Sequence, residues 1–208
     1  SMKHKIDENE KEKILNTAFK LFAQKGFDDT SIREICKSAN INICMISYYF
    51  GGKQELYQEI ITNLIKSQNA YLESFLDIDE DFSNKSKKEL IEKLQIVLEK
   101  FIDYFYSNIS SDLIAFLVKE QQKSDFEVKP PAIIYLRRLV AAILNKQTND
   151  KEVIFKVLFL ISQINSPKIL TTFSLKVLNQ TEFTDEDIQI IKNNIKTYVK
   201  ATFGDIDD

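Results

Sequence analysis

The chain is predicted to be all-α, with an N-terminal three-helix unit of the helix-turn-helix kind and a C-terminal helical bundle. Three observations predict this. Gly and Pro are scarce, at four and three of 208 residues, so little breaks a helix. Apolar residues recur at spacings of three and four along most of the chain. Residues 30–56 hold two short helical patterns separated by a tight turn, with a third beginning at once.

The first helix is expected from about Asp7 to Gln24, with Asp7, Glu8 and Glu10 near its positive end. Ile14, Ala18, Leu21 and Phe22 form its stripe, and Gly26 ends it. Ser31 and Glu34 have capping-box spacing for a second helix, whose apolar face is Ile32, Ile35, Cys36 and Ala39. Asn40 tolerates the left-handed conformation that a sharp helix exit needs. Asn42 is placed to cap a third helix, pinned by Ile46 and Phe50 at i, i+4. Ile43, Cys44, Ser47 and Tyr48 then face away from the core on a helix barely two turns long. Such a helix suits the major groove of DNA.

Gly51-Gly52 opens a fourth helix, from Lys53 to about Leu76, with Leu56, Ile60, Ile61, Leu64 and Ile65 in phase. Residues 77–86 are acidic and polar and read as a linker. Helical patterns follow at Leu90 to Phe105, Leu113 to Gln122, and from Pro130-Pro131 to about Asn145. Asp150 starts a strongly apolar helix that Pro167 is expected to terminate, and Thr184 with Asp187 starts the last one. The boundary is drawn between a helix-turn-helix domain at 1–52 and an effector-binding and dimerisation domain at 53–208.

Composition narrows the function classes. The chain is 44% hydrophobic and 28% charged, ordinary for a globular protein. Residues 1–70 carry 10 basic against 9 acidic side chains and the remainder 18 against 22, so non-specific attraction to nucleic acid is modest. The tail with Lys3, His4 and Lys5 either adds backbone contacts or is a solvated end. No run approaches membrane-spanning length and none resembles a signal peptide, which predicts a cytoplasmic protein without membrane contact. Two cysteines fit a reducing compartment: Cys36 on an apolar face, Cys44 on the outward face of the third helix. The single histidine, His4, lies in the tail, and no phosphate loop, nucleophile elbow or metal-ligand cluster is visible. No catalytic residue, metal or cofactor is therefore expected. The acidic runs Asp79-Glu80-Asp81 and Asp185-Glu186-Asp187 read as a solvated linker and a helix N-terminus.

Residues 30–56 also resemble the DNA-binding segment of the tetracycline-repressor-like (TetR) family, with Thr30, Ile35, Ala39, Ile41, Ile46, Tyr49, Phe50, Lys53 and Leu56 at matching positions. Asn40, Asn42 and Ser47 depart from that family's usual Gly, Ser and Tyr. The resemblance implies a regulator that binds a palindromic double-stranded operator as a homodimer, most simply a repressor released by a small-molecule effector. The competing reading is a helical interaction or scaffold protein whose helix-turn-helix no longer binds DNA.

On the first reading the DNA-contacting residues are Thr30, Ser31, Asn42, Ile43, Cys44, Ser47, Tyr48, Tyr49 and Lys53, with Thr30, Tyr48, Tyr49 and Lys53 at phosphates and Ile43, Cys44 and Ser47 at base edges. Aromatics concentrated in one block, with a few polar groups, suggest an effector pocket: Tyr71, Phe75, Phe101, Tyr104, Phe105, Phe116 and Tyr135, with Glu120 and Arg138. They serve equally well as ordinary core. The resemblance places the dimer interface on the last two long helices, at Val157, Leu158, Ile161, Ile188, Ile191 and Ile195. An effector among residues 87–145 would move the fourth helix and change the spacing of the two reading helices.

Overall fold

The computed structural model describes residues 2–123 and 130–204, which fold into ten helices with no strand among them. In order these are α1 Met2–Lys25, α2 Ile32–Ala39, α3 Cys44–Tyr49, α4 Lys53–Glu73, α5 Lys87–Asn108, α6 Ser111–Gln121, α7 Pro131–Leu144, α8 Lys151–Ile169, α9 Thr171–Leu178 and α10 Asp185–Phe203. They gather into two compact units. One is built from residues 2–71 and 112–123, the other from 72–111 and 130–204.

In the first unit α1 runs from residue 2, so Asp7, Glu8 and Glu10 lie past its first turn and not at its positive end. The expected tail at Lys3, His4 and Lys5 is helical, with His4 3.3 Å from Glu8 one turn on. Gly26 ends the helix at φ +85°, where its N–H donates to Phe22 O at 2.8 Å. Only half of the expected capping box forms on α2. The Ser31 hydroxyl accepts from Glu34 N, while the Glu34 carboxylate turns to Lys25 at 2.6 Å. Asn40 adopts φ 55°, ψ 47°, as its small polar side chain permits, and its N–H returns to Cys36 O and Lys37 O.

The core of this unit joins Ile14, Phe22, Ile35, Ile46 and Leu56 to a residue from a distant stretch of sequence, Phe116 of α6. The Phe116 ring lies 5.5 Å from Phe19 and 6.0 Å from Tyr57, and the residue is 1% exposed. One turn on, the Lys119 ammonium donates to Ala23 O at 2.6 Å and Gln24 O at 3.1 Å. Those are last-turn carbonyls of α1, which have no helical donor of their own, so a cation suits them on charge and on hydrogen bonding. Helix α6 is thus a working member of the first unit, although about forty residues separate it from α4 in sequence.

In the second unit α5, α7, α8 and α10 enclose a core that includes Leu94, Leu98, Tyr135, Leu139, Val157 and Val199. Full capping boxes start α5 (Ser86 with Glu89) and α10 (Thr184 with Asp187), and Pro131 occupies the first turn of α7. Pro167 does not stop α8, which runs on to Ile169; within the last turn a proline removes a single helical donor and the turn survives. Helix α9, absent from the sequence reading, then starts two residues beyond Ile169 at a bend of 74°.

The expected linker at 77–86 is a built loop. Phe82 is 7% exposed and packs edge-on against Tyr135, with ring centroids 5.5 Å apart. Arg138 donates to Ile78 O at 2.7 Å and also to Glu80 O, with its guanidinium 5.1 Å from the Phe82 ring. The Glu80 carboxylate takes Lys93 at 2.8 Å, Lys85 at 3.4 Å and the Tyr135 hydroxyl at 3.2 Å. Glu80 is therefore no solvated linker charge; an apolar residue in the middle of the polar run pulls the segment inward and brings its carbonyls to a cation. Burial opposes ionisation of Glu80, yet the two lysines and the tyrosine hydroxyl outweigh it and hold its carboxyl below the ordinary glutamate value.

Candidate nucleic-acid interface

Helix α3 has six residues and gets its orientation from Ile46, which is 0% exposed. With that side chain fixed, the 3.6-residue period turns Ile43, Cys44, Ser47 and Tyr48 to solvent, and all four are exposed. Ile43 is 49% and Tyr48 68% exposed. Asn42 is one residue further out than a cap of this helix: Ile43 holds the cap position without a side-chain bond. The Asn42 amide oxygen instead accepts from Cys44 N at 3.0 Å and from the Cys44 thiol at 3.0 Å. The helix start is fixed all the same, and both side chains are directed locally. Gly51, at φ +98°, returns its N–H to Ile46 O and Ser47 O and closes the far end.

The remaining candidate contacts differ in how free they are. Thr30 is 1% exposed and its hydroxyl donates to Gly26 O at 2.8 Å, which fixes the α1–α2 turn. This burial does not fit a side chain reaching a phosphate. Ser31 is exposed and caps α2. The Tyr49 hydroxyl donates to Glu10 at 2.8 Å; burial, that bond and the nearby negative charge raise its pKa well above the ordinary tyrosine value. Neither Glu10 nor its partnership with Tyr49 had any local signal in the sequence. Lys53 begins α4 with its ammonium 4.1 Å from the Phe27 ring centroid, and Arg33 and Lys37 are exposed on α2. Cys36 is buried in the core, and burial pushes its thiol pKa up. The unit therefore presents a short, fixed helix of mixed apolar and polar side chains flanked by cations.

The nine candidate effector residues are divided between the two units. Tyr71, Phe116 and Glu120 belong to the first unit, where Phe116 is core and Glu120 is buried beside Lys123 at 3.0 Å. In the second unit Tyr135 and Arg138 hold the 77–86 loop, as described above. Phe75 pairs with Phe101 at 6.2 Å, Phe105 with Tyr106 at 5.5 Å, and burial raises the Tyr104 hydroxyl pKa. Phe75 also lines an open groove of about 330 Å³ whose apolar wall is Leu76, Ile96 and Val97 and whose rim carries Lys85, Lys93 and Lys100 together with Glu89 and Glu92.

Of the candidate interface residues, Val157 and Ile195 are core, Ile161, Ile188 and Ile191 are half-buried against it, and Leu158 is exposed. Beside Leu158 stand Phe155 and Phe159, rings 5.9 Å apart and both about half exposed.

A reading helix pinned by one buried isoleucine, behind a left-handed asparagine turn, defines the first unit as a helix-turn-helix domain. Residues 14–60 match the model of the bacterial regulatory proteins of the tetR family. Over 89 residues, 43% of this chain and 41% of the other, it is 39% identical to the "Probable HTH-type transcriptional regulator YttP" of Bacillus subtilis. Over 53 residues, 26% of this chain and 29% of the other, it is 38% identical to the Biofilm operon icaADBC HTH-type negative transcriptional regulator IcaR of Staphylococcus epidermidis. These matches span about two fifths or less of the relatives' own length. In fold, the chain is similar to the transcriptional regulator FadR of Bacillus subtilis, solved in complex with stearoyl-CoA; the TM-score is 0.52 at 16% identity, over 90% of this chain and 96% of that one. Residues 14–60 of the chain are thus similar to the DNA-binding segment of the tetR-family regulators.

Proposed function

We propose that the protein is a transcriptional repressor: a homodimer that reads a palindromic operator with its two α3 helices and lets go when a small molecule occupies the second unit. The observation that carries DNA reading is the outward face of α3, with Ile43, Cys44, Ser47 and Tyr48 exposed around a fully buried Ile46. Ile43 can meet a thymine methyl, and the Ser47 hydroxyl can donate to or accept from a base edge. Tyr48, Lys53 and the exposed cations of α2 suit phosphates, which position the helix without reading sequence. Repression in place of activation rests on the likeness to IcaR, whose name states negative regulation.

The two-fold part of the reading rests on apolar surface. Phe155, Leu158 and Phe159 of α8 and Ile190 of α10 each leave about half of their area in solvent. Paired half-sites need a two-fold protein, and this face is where a second copy would lie. The effector part rests on the groove beside Phe75. Its apolar wall, under a rim of three lysines and two glutamates, suits an amphipathic ligand, and the neighbour solved with stearoyl-CoA supports that chemistry. Stearoyl-CoA is the probe of choice: it should raise the melting temperature and weaken operator binding, and Lys100→Glu should blunt both effects.

Retardation of DNA flanking the protein's own gene tests the reading as a whole. One discrete complex, retained against excess unrelated duplex, is expected. Binding that vanishes under that competition would favour the helical scaffold with a silent helix-turn-helix.

A further inference from the structure

Helix α9 stands apart from every other helix of the second unit, because none of its residues is buried. Its sequence is nonetheless apolar. Phe173 is 67% and Val177 70% exposed one turn apart, with Ile169, Leu170 and Leu178 about half exposed beside them. Only Thr171, Ser174 and Leu175 are half-buried, so an eight-residue helix, of a length marginal in water on its own, has little tertiary packing to hold its shape.

From these observations we infer that α9 is a dimerisation arm, whose apolar face lies on a second copy of this chain; the inference rests on the homodimer reading and extends it to residues 169–178. Area decides in its favour. The four exposed apolar residues of α8 and α10 offer on the order of 400 Å², taking ~200 Å² for a full side chain. A stable interface uses about 800 Å² per partner. The five apolar residues of 169–178 add roughly 550 Å², which brings the total to that size and beyond the ~300–600 Å² patch of an ordinary monomer. Helix α9 also follows α8 after a single residue, at a bend of 74°, so the two apolar stretches adjoin along the chain.

Charge points to a protein partner and away from a lipid surface. Between Val157 and Thr181 the only charged residues are Lys168 and Lys176. The Lys168 ammonium is turned into the end of α5, where it donates to Phe105 O at 2.6 Å and Ile109 O at 2.5 Å. A single remaining lysine gives little attraction to anionic headgroups, whereas an interface core is depleted of charge.

The test is sedimentation equilibrium of the full chain with three proteins: wild type, Leu158→Glu on α8, and the α9 double variant Phe173→Asp with Val177→Asp. All three are checked for native helicity by circular dichroism. The arm predicts a wild-type dimer that the α9 variant weakens about 30-fold or more in Kd, comparably to Leu158→Glu. A wild-type dimer lost with Leu158→Glu but unchanged in the α9 variant would overturn the arm alone. A monomeric wild type at tens of micromolar would overturn both the arm and the homodimer. Co-sedimentation of wild type, but not of the α9 variant, with phosphatidylglycerol vesicles while both remain dimers would assign the face to lipid and overturn the arm.

Discussion

At the scale of single residues, asparagine does work in this chain that glycine does in many others. Asn40, Asn145 and Asn179 all sit at positive φ, 52–55°, just past helices α2, α7 and α9. A Cβ-bearing residue without a short polar side chain costs about 1–2 kcal/mol in that conformation. Asn40→Ala should therefore lower the melting temperature by ~2–8 °C, and Asn40→Gly should leave it within about 2 °C of wild type. The α2–α3 turn is the more informative of these sites, because loosening it should also weaken DNA binding.

Glu80 gives a pH-dependent counterpart. Its folded-state pKa lies below the ordinary value, so its contribution to stability is complete above the unfolded pKa, about 4.3. That contribution is lost as pH falls through the lower folded value. Melting curves from pH 7 to pH 3 should show wild type losing more stability below about pH 4.3 than Glu80→Gln does. Equal slopes for the two proteins would mean that the Lys93 and Lys85 pairs do not hold the loop.

At the scale of elements, α6 completes the core of the first unit through Phe116. Phe116→Ala removes a ring packed among Phe19 and Tyr57 and should cost about 3–5 kcal/mol, read as a lowered urea midpoint. Lys119→Met keeps the stem and deletes the cation on the α1 carbonyls. It should cost ~1–2 kcal/mol and fray the α1 terminus in hydrogen exchange. If neither substitution moved the unfolding of the helix-turn-helix, α6 would be a passenger there.

Elements also show which parts of the fold were legible in sequence. The helix-turn-helix was readable because each of its steps is local: Asn40 for the turn, Ile46 for the buried side, Gly51 for the exit. The starts of α7, α8 and α10 were likewise written in Pro131, Asp150 and Thr184, whereas the Ser86–Glu89 capping box of α5 lay at the end of the segment read as a linker. Position in the fold was not legible. The 77–86 segment has a linker's composition, and only Phe82 hints that it packs inward, since Arg138 lies about sixty residues away in sequence. Placing α6 in the first unit needs the contact between Phe116 and Tyr57, which no period reveals. The candidate effector residues divide between the two units for the same reason: aromatics close in sequence belong to different units.

At the scale of the whole molecule, the proposed repressor needs a reading helix, a coupling path and a two-fold axis. Helix α4 has 21 residues, so it is about 30 Å long at 1.5 Å per residue, and a tilt of a few degrees displaces one end by angstroms. In the proposed homodimer the two α3 helices must stand one turn of DNA apart, about 34 Å, or a multiple of it. An effector needs to favour a mismatched spacing by only a few kcal/mol to empty the operator. Leu158→Glu should abolish the dimer and with it most operator affinity, because one half-site alone makes too few contacts. Retained affinity in a demonstrated monomer would remove the two-fold axis from the account.

The most direct measurement is selection of binding sites from randomised duplex DNA with wild type and with Ser47→Ala. The account predicts that wild type enriches a palindrome with half-sites spaced by whole turns, and that Ser47→Ala changes the preferred base at one position in each half-site while keeping the spacing. No enriched motif, or the same motif from both proteins, would contradict the claim that the exposed face of α3 reads DNA.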